Sequence, residues 1–402
     1  MGSDLSMVPL TLYVHIPWCV QKCPYCDFNS YRAPLSLPEQ TYVEALLADL
    51  EQDLSWLQGR CIESIFLGGG TPSLFSADAI ERLLTRLRMC LPLSADIEVT
   101  LEANPGTIEQ QKFREFFAAG INRLSIGVQS FHEGHLHRLG RIHGRQEAFR
   151  AAEAAFKAGF VNVNLDLMFG LPGQTLPQAL ADIDSAIALN PAHISHYQLT
   201  LEPQTAFYQR PPSDLPDEDR LWEMQTHCQE RLAKVGYAQY EVSAYARTQQ
   251  YCRHNLNYWK FGDYFGIGAG AHSKLSDVTG TGGIWRFWKL RNPQSYLNYA
   301  GSEQIVAGRR LIPPSELGLE FMLNALRLVA GFPIGLFSER TGLPLKYIET
   351  ALNLGCARGL LSRNEQRIQP TELGRRFLNN LLELFMPEET QHCETLRQGI
   401  DL

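Results

Sequence analysis

Along the first half of the chain, apolar and polar residues follow two alternating rhythms. Residues 11–17 (Thr-Leu-Tyr-Val-His-Ile-Pro) form a short apolar run stopped by proline, which predicts a strand. Between Pro38 and Leu57, the residues Val43, Leu46, Leu47, Leu50, Leu54 and Leu57 recur at helical spacing. Ser64–Leu67 then reads as a strand running into Gly68-Gly69-Gly70-Thr71-Pro72. The alternation continues with a helix over 76–90, a strand over 96–103 ended by Asn104-Pro105-Gly106, a helix over 107–119 and a strand over 123–130. A helix over 144–158, a strand over 161–169, a helix over 175–189 and a strand over roughly 193–201 complete the series. Six β-then-α units in a row imply parallel strands joined by crossover helices. That is two units short of a closed TIM barrel, so the expected class is α/β, an open partial (β/α)6 TIM-type barrel.

After a Pro/Asp-rich loop at 210–214 comes a helix over 216–235, then a stretch at 251–292 dense in aromatics and glycine. Composition shifts at Ile312-Pro313-Pro314. Beyond it the pattern predicts helices over 315–330, 333–341 and 344–358, a hairpin over 360–369 and a last helix over 371–386, an order similar to a winged helix. The implied division is a barrel over 1–210, a barrel extension over 211–311, a mostly helical, winged-helix-like domain over 312–387 and a polar tail over 388–402. Between 313 and 387, eight basic residues stand against seven acidic ones, which suits a docking or lid domain better than a DNA reader.

Whole-chain composition narrows the class of partner. A net charge of −7 and a pI near 5.9 argue against a nucleic-acid binder. No basic segment followed by an apolar run opens the sequence, and no stretch of ~18 uninterrupted apolar residues occurs, so neither a signal peptide nor a membrane span is expected. Nine cysteines, mostly scattered, fit a reducing compartment, and the expected location is cytoplasmic.

Three of those cysteines are not scattered. Cys19, Cys23 and Cys26 follow the first strand with spacing C-x3-C-x2-C, and Tyr25 precedes the third. Soft thiolates packed this closely suit a metal or iron–sulfur centre, and three ligands on a four-iron cube leave one iron open to a small molecule. A zinc site with His15 as fourth ligand is the plainer alternative, but zinc knuckles usually bring a second C-x-x-C pair and none occurs here. Glu102, Gln129, Asp166 and Gln198 fall at or near strand C-terminal ends, the edge where parallel barrels carry their sites. Asp166, between Leu165 and Leu167, is costly to bury without a partner or ligand.

The cysteine triad resembles that of the radical S-adenosylmethionine (radical SAM) superfamily, in which the open iron chelates the methionine moiety of SAM. The motifs in register with it, above all His254-Asn255-x-x-Tyr258-Trp259, resemble the family of oxygen-independent coproporphyrinogen III dehydrogenase (HemN), specifically its heme-chaperone branch, over about residues 10–385. The resemblance implies that Cys19, Cys23 and Cys26 hold a 4Fe–4S cluster. It implies that Tyr13, Gly69, Gly70, Thr71, Glu102, Gln129, Arg141 and Asp166 form the SAM site, with Arg141 facing a carboxylate. Gly69 and Gly70 would let the backbone approach SAM, so that Gly70→Val should block SAM and spare the cluster. His254, Asn255, Tyr258 and Trp259 are implied to contact heme, His254 as axial ligand, Asn255 as its orienting partner and the two aromatics as flat apolar area.

Two departures separate the chain from the oxidase. Phe28 stands where the oxidase pattern has a fourth cysteine, and only eighteen residues precede Cys19. The resemblance therefore implies a cytoplasmic heme chaperone passing heme to proteins such as respiratory cytochrome subunits or bacterioferritin, with at most a transient membrane association and no oxidase activity. The enzymatic rival is coproporphyrinogen III dehydrogenase, in which a 5′-deoxyadenosyl radical abstracts hydrogen from propionate side chains. A zinc-stabilised interaction protein is the third class.

Overall fold

A parallel strand covered on both faces needs apolar residues at nearly every position. A computed structural model describes residues 8–106, 110–277 and 283–387, and its central strands have this character. β1 (Leu10–Ile16), β2 (Ile62–Gly69), β3 (Leu93–Ala103), β4 (Arg123–Gln129), β5 (Asn162–Phe169) and β6 (His193–Gln198) lie side by side in chain order, all parallel. Every residue of β4 is buried, its first being an arginine. The crossovers carry α1 (Glu39–Leu57), α2 (Ala77–Cys90), α3 (Gln110–Ala119), a short α4 (Glu133–Arg138) that the periodicity does not announce, α5 (Arg145–Lys157) and α6 (Leu176–Leu189). Ser76 caps α2, and Thr175 with Gln178 forms the capping box of α6. Of the helix expected over 107–119, residues 107–109 lie outside the described residues, as does the tail expected over 388–402.

The segment 211–311 adds strands that its periodicity does not announce. It supplies both edges of the same sheet. After α7 (Glu218–Lys234), β7 (Ala238–Glu241) and β8 (Ala244–Ala246) pair antiparallel beyond β6. The chain then crosses through α8 (Arg253–Trp259) and returns as β9 (Asp263–Ile267), which pairs parallel with β1 and makes a seventh parallel strand. β10 (His272–Ser276), β11 (Ile284–Lys289) and β12 (Val306–Ile312) follow antiparallel. The result is an open twelve-stranded sheet in the order β12-β11-β10-β9-β1-β2-β3-β4-β5-β6-β8-β7. Local periodicity does not show these strands because each is short and its pairing is set by residues far away in the chain.

Two buried charge clusters fix that distant edge. Asp263, at the start of β9, accepts from Arg60 Nη1 at 2.8 Å, Lys274 Nζ at 2.9 Å and the Ser276 amide at 2.8 Å. Burial alone would raise its carboxyl, but Lys274 and Arg60 outweigh this and hold it below the ordinary carboxylate range. Lys289, at the end of β11, reaches Asp49 at 2.5 Å and Asp53 at 2.6 Å on α1, and Tyr296 donates to Asp49 at 2.6 Å.

β12 ends at Ile312 and the next helix, α9 (Pro314–Ala325), starts two residues later. Helices Leu336–Thr341 and Glu349–Ala357 follow, with a three-stranded sheet in which Phe332–Pro333 joins the hairpin of Leu361–Arg363 and Arg367–Pro370. The helix expected over 371–386 is broken at Phe377 into Glu372–Arg376 and Leu378–Glu383. Phe321, Phe332, Phe337, Leu352 and Ile368 form a separate core, into which Phe261, in the turn before β9, and Ile284 of β11 insert.

Asp263→Ala should destabilise the protein by about 3–5 kcal/mol, because it strands two buried cations; urea unfolding measures this. The folded pKa of Asp263 lies below its unfolded value. Its contribution is therefore present above the unfolded pKa and lost only as pH falls through the folded one, so the loss should be constant between about pH 5 and 8.

Candidate cluster and SAM site

The cysteine loop starts where Pro17 stops β1 and is closed by a short parallel pairing of Trp18–Cys19 with Tyr31–Arg32. Backbone bonds from Tyr31 to Pro17 (2.7 Å) and from Ala33 to the carbonyl of Cys19 (2.8 Å) clamp its ends, and Lys22 donates to the carbonyls of Phe28 and Ser30, both at 3.2 Å. Cys19, Cys23 and Cys26 are half-buried free thiols, and all three face one cavity of about 440 Å³. Burial pushes the thiols of Cys19 and Cys26 up from their ordinary value. Among the described residues, no three His, Cys, Asp or Glu side chains converge on a single metal ion. A four-iron cube needs no such convergence, since each thiolate binds its own iron.

The opposite wall is built from strand C-terminal ends: Gly69, Gly70 and Thr71 after β2, Glu102 and Asn104 at β3, Gln129 at β4, Asp166 on β5 and Tyr197 on β6. Glu102 accepts from the Gly69 amide at 3.1 Å. Burial first, and then the Asp166 carboxylate, raise its pKa to about 8. Asp166 is itself raised by burial, although Ser125 and Asn164 donate to it at 2.9 and 2.8 Å. The Arg123 guanidinium offsets this in part, and a further cation in the cavity would favour ionising both. SAM carries a sulfonium and an ammonium group, so the residues present fit it. Gln129 takes a backbone φ of +67° and accepts from Tyr197 Oη at 2.8 Å.

Three expected roles meet a different geometry. Gly70 is required by the cysteine loop: a Cβ there would lie 2.6 Å from the Trp18 carbonyl oxygen and 2.8 Å from the Pro17 carbonyl carbon. Gly69, at φ +109°, likewise packs on the His15 ring. Substitution at Gly70 therefore disturbs the backbone just before Cys19 and cannot be expected to spare the cluster. Arg141 does not stand open to a carboxylate: Nη2 donates to Asn104 at 2.6 Å and to the Gly127 carbonyl at 2.7 Å, while Nη1 points at Cys23 Sγ, 3.7 Å away. Tyr13 lines a second, adjoining cavity rather than the first.

That second cavity, about 650 Å³, is bounded by Tyr13, Phe66, Tyr258 and Tyr264, with His15, His254, His272 and Arg291. Asn255 and Phe28 line both cavities, and Phe28 is 57% exposed. His254 is 1% exposed, its Nδ1 lies 2.9 Å from Ser64 Oγ and its Nε2 3.3 Å from Tyr258 Oη, so neither nitrogen is open to iron. Burial lowers its pKa to about 3. Trp259 is not in the cavity wall: its ring lies 4.2 Å from the Arg327 guanidinium.

Sequence reasoning missed Asn104, Arg123, Ser125, Asn164 and Tyr197, all of which line the first cavity. Asn104 was hidden in a turn signal, Asn104-Pro105-Gly106. Arg123 carried a legible sign, a cation opening an apolar strand.

A three-cysteine loop facing strand-end carboxyls at the mouth of an open parallel barrel defines a radical SAM protein. Sequence models agree: that of the radical SAM superfamily matches residues 13–186 and that of the HemN C-terminal domain matches 312–377. The chain is 49% identical to the heme chaperone HemW of Escherichia coli (strain K12), over 96% of this chain and 100% of that protein. It is 47% identical to heme chaperone HemW of Haemophilus influenzae, over 96% of this chain and 100% of that one. Coproporphyrinogen III oxidase (HemN) from Escherichia coli, at 23% identity and TM-score 0.80 over 94% of this chain and 90% of that one, shares the fold. The chain belongs to the HemW family. Membership in the radical SAM superfamily implies a 4Fe–4S cluster and SAM; when bound, the cluster supplies an electron and an open coordination position.

Anaerobically reconstituted protein should hold about four irons and four sulfides per chain. Cysteine-to-alanine changes at 19, 23 or 26 should abolish this and Cys228→Ala should not; iron and sulfide analysis decides. Gly70→Ala should lower cluster content as well as SAM affinity.

Proposed function

We propose that this chain binds heme and delivers it to heme-requiring proteins, with a 4Fe–4S cluster and SAM held in the first cavity. The observation that carries this reading is the second cavity, walled by aromatic rings and sharing Phe28 and Asn255 with the cluster cavity. Flat rings such as Phe66, Tyr258 and Tyr264 suit the faces of a macrocycle. The relatives at 49% and 47% identity, themselves named heme chaperones, support it. Respiratory cytochrome subunits and bacterioferritin are the proposed recipients, and the cytoplasm the proposed location. No helix of the described residues is long and apolar enough to cross a membrane.

Coproporphyrinogen oxidation is the second reading, favoured by the shared fold with HemN. Phe28 weighs against it, because an apolar ring replaces a thiol beside the cluster. One preparation, cluster intact, separates the two. It should retain stoichiometric heme after gel filtration and fail to convert coproporphyrinogen III with SAM and a reductant. Multiple turnovers would promote the oxidase reading, and heme retention no better than that of an unrelated protein would end the chaperone one.

A further inference from the structure

The three histidines around the second cavity differ in what their nitrogens do. His15 Nδ1 meets Tyr13 Oη at 3.1 Å and its Nε2 meets the Asn29 carbonyl at 2.9 Å. His254 is committed in the same way, to Ser64 and Tyr258. A ligating imidazole must turn a lone pair on one nitrogen towards the iron, and breaking a buried hydrogen bond to do so is costly. His272 has no such commitment. It is exposed at the start of β10, and neither ring nitrogen has a hydrogen-bond partner among the described residues. Its ring lies near that of Trp288, with centroids 6.4 Å apart and planes 24° from parallel, which limits its orientation.

Arg291 is the one Arg or Lys among the residues lining this cavity. Its Nε donates to Asn29 Oδ1 at 3.4 Å, while both terminal nitrogens are without a partner among the described residues. By contrast, nearby Arg286 is taken up by Tyr264 at 2.9 Å and Glu320 at 2.5 Å. Backbone bonds from Gly270 to Leu290 (2.8 Å) and from Lys289 to Ala271 (2.9 Å) hold His272 and Arg291 on one rim. Asn29, from the cysteine loop, donates to the Ala269 and Arg291 carbonyls at 2.9 and 2.8 Å and ties that rim to the loop.

We propose that His272 is the axial ligand of the heme iron and that Arg291 pairs with a heme propionate, the macrocycle lying against the wall of Tyr13, Phe66, Tyr258 and Tyr264. This rests on the heme-binding reading above. A planar guanidinium with its fork open matches a carboxylate, and a neutral imidazole is a usual proximal ligand. One axial ligand at an exposed rim leaves the other iron face to a recipient, as transfer requires. His254 then acts as a wall residue that orients Tyr258.

The test titrates full-length, cluster-loaded protein with hemin and, separately, with iron-free protoporphyrin IX. H272A should shift the heme absorption band and weaken hemin binding at least about tenfold, no less than loss of an outer partner costs a metal site, while protoporphyrin affinity stays unchanged. Added imidazole should restore the band in H272G. R291E should weaken both ligands without moving the band, and H254Q, its fold checked by circular dichroism, should keep the wild-type band. If the wild type binds hemin and H272A binds it with the same band and affinity, the ligand assignment is overturned. Loss of the band in folded H254Q overturns it too. A wild type that binds neither ligand above an unrelated protein overturns the heme-binding reading itself.

Discussion

The pairing of β9 with β1 is the contact on which the rest of this architecture depends. β1 leads directly into the cysteine loop, and β9 leads into the glycine-rich turn that carries His272. Laying the two side by side requires Asp263 to be buried at the seam, which is tolerable only because Arg60, Lys274 and Ser276 surround its carboxylate. Remove that match and a buried charge is left unpaired, a cost that exceeds what the short strand could recover by its own hydrogen bonds. At the other end of the seam, Gly268 at φ +111° lets the turn lie against the His15 backbone, where a Cβ would come within 2.3 Å of its carbonyl oxygen.

The seam places the cysteine loop between two sets of functional groups. On one side, the strand-end carboxyls of Glu102 and Asp166 share a cavity with the Arg123 guanidinium, and burial raises both. On the other, aromatic rings, three histidines and one arginine with open terminal nitrogens enclose the second cavity. Phe28 and Asn255 belong to both walls. The loop touches both sides through Arg141 at Cys23 and through Asn29 at the β9–β10 turn.

The barrel, the three-cysteine loop and several polar residues of the first cavity were legible in the sequence, because each is written locally. Alternating strand and helix periods announced six parallel strands, C-x3-C-x2-C announced soft ligands, and polar residues interrupting apolar runs marked Glu102, Gln129 and Asp166. What the sequence could not determine is which way a side chain turns once remote segments meet. Gly70 could be read as space for a ligand, and only the fold shows that the Pro17–Trp18 backbone occupies it. His254 carries the conspicuous motif, yet Ser64 of β2, from a distant part of the chain, caps its Nδ1. Trp259 is turned to Arg327 of the C-terminal unit. His272, with no motif to mark it, comes to the cavity rim because β9 and β10 pair non-locally beside β1. Local pattern fixes which groups are present; long-range packing decides which of their hydrogen bonds are already spent, and so which remain for a ligand.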